Sequence, residues 1–202
     1  PDHRYLVFTN RPGCEGLKIA KENKHETIEL SHVPFLREAR KRYLAGMIPR
    51  NCQERLSFEQ EAVRLIESKL GGQPDLICMA GYDQWLTDWT VERYFPHMIN
   101  VHPGDTTRGY SGLHWIPTAR AILAGEKELR STVFIVDTGE DTGPVLVQSN
   151  PVDIEQALSV LEVRGTKGLL GRFEKIVSFS RTNNLGSYES FIAAAGKELK
   201  DA

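Results

Sequence analysis

The chain of 202 residues holds only three cysteines, Cys14, Cys52 and Cys78, and no Cys-x-x-Cys pair. So sparse and odd a set argues against both a disulfide framework and a zinc ribbon. Neither charge is in excess: 25 Lys plus Arg against 27 Asp plus Glu leave a formal net charge of −2. A nucleic-acid partner usually requires a clear basic excess, so none is expected. No stretch approaches the roughly 18 consecutive apolar residues of a bilayer-spanning helix, and no apolar segment of a signal peptide follows Pro1, Asp2, His3 and Arg4. No membrane association is expected, and cytoplasmic residence fits these absences. Internal repeats, low-complexity tracts and linkers are also missing, so a single domain over 1–202 is expected. The chain opens on Pro rather than Met, so its true start is expected upstream. What remains, 40% hydrophobic and 26% charged residues, suffices for a globular core.

The apolar run at residues 5–8 ends in Pro12-Gly13, a helical pattern covers 15–23 with Leu17, Ile19 and Ala20, and 25–30 alternates. That order predicts a βαβ unit with parallel strands. Residues 31–55 are charged and poorly periodic, giving a partial helix and a flexible stretch over 48–51. Ser57 followed by Gln60 predicts a helix start. The helix then runs to Leu70, with Ala62, Val63, Leu65 and Ile66 on one face and Gly71-Gly72 as its stop. Residues 75–79 predict a central parallel strand buried on both faces, and 98–101 a further buried strand. A helix is expected within 81–94 and another over 116–125, with Pro117 in its first turn and Gly125 at its end. Strands are expected at 132–136 and 145–148, a helical tail from 154 to 179, and a short helix from Tyr188. The fold class is α/β, Rossmann-like, with a mostly parallel twisted sheet and helices on both faces.

Ligands of such sheets sit beyond the carboxyl ends of the strands, where two polar clusters fall. In the first, Asn100 and His102 lie two apart on an extended segment, so their side chains point the same way. An amide donor beside an imidazole suits stabilisation of an oxyanion and transfer of a proton. The same residues also fit a turn cap and a satisfied, half-buried histidine. The second cluster runs from Asp137 to Pro144 as DTGEDTGP. It could orient a histidine or bind a metal, and by itself is best read as a tight turn. Calcium is disfavoured because the loop lacks EF-hand spacing, and no metal is expected. Trp85, Trp89 and Trp115 read as packing residues, and Arg37, Arg40, Lys41 and Arg42 as a solvated helix face.

Taken together, INVHPG, SGLHWIPTARAILAGE and STVFIVDTGEDTGPVLVQ, preceded by ICMAGYDQWL, resemble the folate-dependent formyltransferase family over residues 5–152. The combination of Asn-x-His-Pro with Asp-Thr-Gly-Pro carries the resemblance. It implies that Asn100, His102 and Asp141 are catalytic, and that His114, Thr132 and Gly104 line the substrate site. It implies that residues 82–86, among them Tyr82, Gln84, Trp85 and Leu86, and the loop residues Asp137, Gly139 and Glu140 hold the pterin of 10-formyltetrahydrofolate. The implied reaction moves a formyl group from that donor to a small amine, glycinamide ribonucleotide-like, in purine biosynthesis. Hydrolysis of the donor, or a catalytically altered ligand-binding module of the same fold, are the alternatives. Monomer and homodimer are both compatible with the family.

Three departures stand out. The family's first strand and its Gly-rich phosphate loop are missing from this sequence. After His102 the family shows Pro-Ser-Leu-Leu-Pro, where this chain has Pro103-Gly104-Asp105-Thr106-Thr107. The family's Met-Arg-Ile-Leu stretch here reads Asp83-Gln84-Trp85-Leu86.

Overall fold

The computed structural model describes residues 3–43, 48–112, 116–154 and 156–157. The chain divides into two compact units, one of residues 1–78 and 84–98, the other of 79–83 and 99–202.

The first unit begins with β1 (Leu6–Thr9), α1 (Glu15–Glu22) and β2 (Glu26–Glu29). β1 and β2 pair in parallel with Leu6 opposite Glu26, the βαβ unit that the sequence predicts. α1 buries Leu17 and Ala20 but leaves Ile19 52% exposed, because Ile19 falls on the outer side of the amphipathic turn. A short α2 (Arg37–Arg42) turns its charged residues outward and buries Ala39. α3 (Gln53–Leu70) buries Phe58, Ala62 and Val63 and packs on β1. The Phe58 ring meets those of Phe8, His32 and Phe35 edge-on or tilted, contacts worth about 0.5–1.5 kcal/mol each beyond area burial.

α3 starts four residues before the expected Ser57. Its N-cap is Cys52, and Ser57 instead receives a hydrogen bond from Gln53 inside the helix. Burial of Arg55 and Phe58 on this first turn explains the earlier start, since packing outweighs a capping pattern. Gly71, at φ 81°, ends the helix where expected, in a left-handed conformation that other residues adopt at a cost. β3 (Ile77–Met79) follows, then α4 (Asp88–Tyr94), which contacts α3. The strand expected to be buried on both faces is not: Cys78 is exposed and Leu76 is 53% exposed. An apolar run favours the extended conformation but does not determine what packs against it.

The second unit carries β4 (Met98–His102), α5 (Ile116–Leu123), β5 (Glu128–Leu129), β6 (Thr132–Ile135), β7 (Val145–Gln148) and β8 (Val152–Asp153), with β4 entering it at Ile99. β3, β4, β6 and β7 form a four-stranded sheet in that order. The α/β class holds, but the sheets are mixed rather than mostly parallel. β4–β6, β6–β7 and β5–β8 are antiparallel. The connection between β6 and β7, residues 136–144, is too short for a parallel crossover, which needs about a dozen residues or more. β4 is buried on one face only: His102 is 3% exposed, whereas Val101 on the other face is 52% exposed. Pro117 is fully buried in the first turn of α5, as its missing N–H allows there. The expected tail beyond 157, including the helix from Tyr188, lies outside the described residues.

Candidate active site

Strand alternation puts Asn100 and His102 on one face of β4, opposite Phe134 and Thr132 of β6. The imidazole of His102 stands edge-on to Phe134, with ring centroids 6.4 Å apart. Both ring nitrogens have partners. Nε2 lies 2.9 Å from the main-chain oxygen of Tyr110, and Nδ1 lies 3.4 Å from Oδ2 of Asp141. A carbonyl can only accept, so Nε2 carries a hydrogen, while Nδ1 faces a carboxylate that accepts likewise. Asp141 Oδ2 also accepts from the Gly112 N–H at 3.0 Å. The Asn100 carboxamide makes no hydrogen bond among the described residues.

Asp141 reaches His102 from an unusual backbone position, with φ 53°. The left-handed region costs a non-glycine residue about 1–2 kcal/mol, and Asp is among the few that tolerate it. The loop that imposes this conformation is a side-chain-to-backbone turn. Asp137 Oδ1 accepts from the Gly139 N–H at 3.0 Å and from the Thr142 hydroxyl at 2.9 Å. The tight turn and the oriented histidine, separate readings in the sequence, therefore coexist: Asp137 makes the turn and Asp141 faces His102.

The segment after His102 is tied down at several points. Asp105 caps a 3-10 turn (Thr106–Arg108) by accepting from the Thr107 N–H, and its carboxylate takes the Gln148 amide at 2.6 Å. Partial burial works against ionisation of Asp105, yet the hydrogen bonds from Thr107 and Gln148 hold its carboxyl below the usual range. Thr132 is fully buried and donates to the Gly104 carbonyl at 2.8 Å. The Tyr110 hydroxyl donates to Glu126 at 2.6 Å. The Thr106 hydroxyl is buried with no hydrogen-bond partner among the described residues.

Gly104 makes this closure possible. A Cβ there would stand 2.5 Å from the Tyr110 oxygen, 2.5 Å from Pro117 Cβ and 3.1 Å from His102 Nε2. A serine in this place would collide with the carbonyl that holds the imidazole. The departure from Pro-Ser at Pro103-Gly104 therefore has a direct structural consequence.

Asn100, His102, Asp141, Thr132 and Gly104 thus belong to one constellation in the second unit, which also contains Tyr82 and the loop residues Asp137, Gly139 and Glu140. Gln84, Trp85 and Leu86 belong to the first unit. His114 lies outside the described residues. Among the described residues, no group of three or more His, Cys, Asp or Glu side chains could hold a metal ion. The sequence reading missed Tyr110, whose contribution is a main-chain oxygen, together with Asp105, Gln148 and the Gly112 N–H. Asp105 two residues before Thr107 is a local turn signal that could have been read.

The model of the formyl transferase family matches residues 2–167. The chain belongs to the formyl transferase family. It is 31% identical over 158 residues to the trifunctional purine biosynthetic protein adenosine-3 of Drosophila melanogaster, covering 76% of this chain and 10% of that one. It is 31% identical over 117 residues to the phosphoribosylglycinamide formyltransferase of Bacillus subtilis, covering 57% of each. The chain thus spans a tenth to a little over half of the length of these relatives. Among solved structures, glycinamide ribonucleotide transformylase 1 from Geobacillus kaustophilus matches with a TM-score of 0.55 at 26% identity, over 79% of this chain and 73% of that one. Phosphoribosylglycinamide formyltransferase from Bacillus halodurans matches with a TM-score of 0.57 over 81% of this chain and 73% of that one. At 24% identity the latter likeness supports the fold alone.

Proposed function

We propose that this formyl transferase family member moves a formyl group from 10-formyltetrahydrofolate to a small amine of the glycinamide ribonucleotide type. The observation that carries the reading is the His102–Asp141 pair at the end of β4, with Asn100 on the same face of the strand.

The amine nitrogen attacks the formyl carbon, a C–N bond forms, and the carbonyl oxygen takes up the displaced electron pair. Collapse of this tetrahedral species breaks the bond to N10, which leaves with a proton as tetrahydrofolate. The products are the formylated amine and tetrahydrofolate, with no net change in protons. The Asn100 carboxamide supplies an N–H for the oxyanion, and one such donor is typically worth about 10²–10³ in rate. Nδ1 of His102 and the Asp141 carboxylate form the relay for the proton leaving the attacking amine, directly or through one water. The Tyr110 carbonyl fixes the ring orientation by accepting from Nε2, and Gly112 fixes the carboxylate. Of the residues that the resemblance assigns to the donor, Gln84, Trp85 and Leu86 belong to the first unit, and Tyr82 and the 137–140 turn to the second.

In this reading the partners are the amine and the folate, with neither nucleic acid nor membrane, in a cytoplasmic monomer or homodimer. No described helix is long and apolar enough to cross a membrane. The test is product analysis after incubation of the full chain with 10-formyltetrahydrofolate and glycinamide ribonucleotide. Formylated amine that depends on His102 and Asp141 supports the reading, and formate in its place identifies a hydrolase.

A further inference from the structure

The stretch expected to be flexible, residues 48–51, is instead fastened to the segment assigned above to the formyl donor. Arg50 donates Nε–H to the Leu86 carbonyl at 2.6 Å, lays its guanidinium over the Trp85 ring 5.9 Å from the centroid, and lies 3.3 Å from Asp88. Asn51 and Asp88 exchange two hydrogen bonds, the Asn51 amide donating at 2.6 Å and the Asp88 N–H returning one at 2.9 Å. On the other side of the same peptide, Glu59 is buried in α3 and accepts the Thr87 N–H at 2.9 and 3.0 Å. Hydroxyls of Thr87 and Thr90 each donate to it at 2.5 Å.

The single peptide unit between Leu86 and Thr87 is therefore gripped at both ends, its oxygen by a cation and its N–H by an anion. Hydrogen bonds with one charged partner are about twice as strong as neutral ones. Together they fix the peptide plane, and with it the directions in which Leu86 and Trp85 leave the backbone. A lysine at position 50 keeps the charge but cannot reproduce the planar fork that reaches Leu86, Trp85 and Asp88 together. These contacts lie within the first unit, and the His102–Asp141 pair belongs to the second.

We infer that Arg50 is a positioning residue for the formyl donor, setting donor affinity through the Leu86–Thr87 peptide and leaving the chemical step untouched. This rests on the proposed donor role of residues 84–86. The test compares the wild-type full chain with Arg50→Lys, Arg50→Ala and, as a surface control on α3, Arg64→Ala. Steady-state kinetics are run with each substrate varied in turn, and a deazafolate analogue of the donor is titrated by calorimetry. The expected result is a rise of roughly tenfold or more in donor KM and in analogue Kd for both Arg50 variants. kcat and amine KM stay within about twofold, and Arg64→Ala matches the wild type. Unchanged donor KM in both variants overturns the inference, as does a parallel rise in both KM values. Wild-type chain that binds the analogue but forms no formylated amine contradicts the proposed transfer alone, and the calorimetric comparison still decides the role of Arg50. Analogue that binds neither wild type nor variant overturns the donor role and this inference with it.

Discussion

Replacing Gly104 by alanine tests the closure around His102 most severely. The added Cβ meets two unyielding neighbours at 2.5 Å, a main-chain oxygen and the Pro117 ring carbon at the start of α5. Neither is the far end of a flexible side chain, so the 104–110 segment or α5 must shift. Overpacking of this kind costs about 1–3 kcal/mol. Loss of the Nε2–H bond to the Tyr110 carbonyl adds about 0.5–1.5 kcal/mol. The stiffer unfolded chain returns about 0.4–1 kcal/mol. The net expectation is a destabilisation of about 0.5–4 kcal/mol, which for a chain of this size lowers Tm by about 2–4 °C for each kcal/mol. Thermal unfolding followed by circular dichroism, together with the rate of formyl transfer, provides the readout. The hydrogen bond from His102 Nε2 to the Tyr110 carbonyl, followed by nitrogen chemical shifts, should weaken. A Gly104→Ala protein as stable as the wild type, with unchanged His102 nitrogen shifts, would refute the reasoning, because the carbonyl then cannot lie where the structure puts it.

Asp141→Asn removes the carboxylate that faces Nδ1 while keeping an oxygen for Gly112, so kcat should fall roughly 10²–10⁴-fold with little change in Tm; a tenfold loss or less contradicts the assigned role. Thr132→Val strands the Gly104 carbonyl and should cost about 1–3 kcal/mol, whereas Thr106→Val removes a buried hydroxyl with no partner among the described residues and should be neutral or stabilising. Urea unfolding of both proteins checks the pair, and equal losses would refute the hydrogen-bond assignment. Burial pushes the Glu59 carboxyl above its ordinary value of 4.5, against the hydrogen bonds from Thr87 and Thr90. A raised carboxyl contributes stability that is fully present below pH 4.5 and lost as pH rises through the raised value. The wild type should therefore lose stability relative to Glu59→Gln across that window in urea titrations. A gap that is flat or grows in favour of the wild type would show that the carboxyl is not raised.

The sequence makes plain what depends on local periodicity and special backbone positions. The β1-α1-β2 order, the end of α3 at Gly71 and the burial of Pro117 follow from spacing and from the chemistry of glycine and proline. Antiparallel pairing of β6 and β7 was also readable, since nine intervening residues leave no room for a crossover. The start of α3 was not, because a local capping pattern at Ser57 competed with packing of Arg55 and Phe58 that only the folded chain supplies. Exposure of Cys78 and Val101 depends on what covers a strand, which apolar content does not determine.

The site divides in the same way. Asn100 and His102 are legible in the strand spacing and Asp141 only through the family resemblance, and the structure brings His102 and Asp141 within 3.4 Å. Thr132 was placed near the site, yet its hydroxyl goes to the Gly104 carbonyl and holds the loop. The Tyr110 contribution is main-chain and independent of residue type, so no side-chain pattern could announce it. Arg50 lies in a charged, aperiodic stretch whose partners are 36 residues away in sequence.

The most direct test of the central claim is mass-spectrometric detection of formylated amine formed by the full chain from 10-formyltetrahydrofolate and glycinamide ribonucleotide, with Asn100→Ala measured alongside. The account predicts product from the wild type and a loss of roughly 10²–10³ in rate without the Asn100 carboxamide. Equal rates from the two proteins would contradict it.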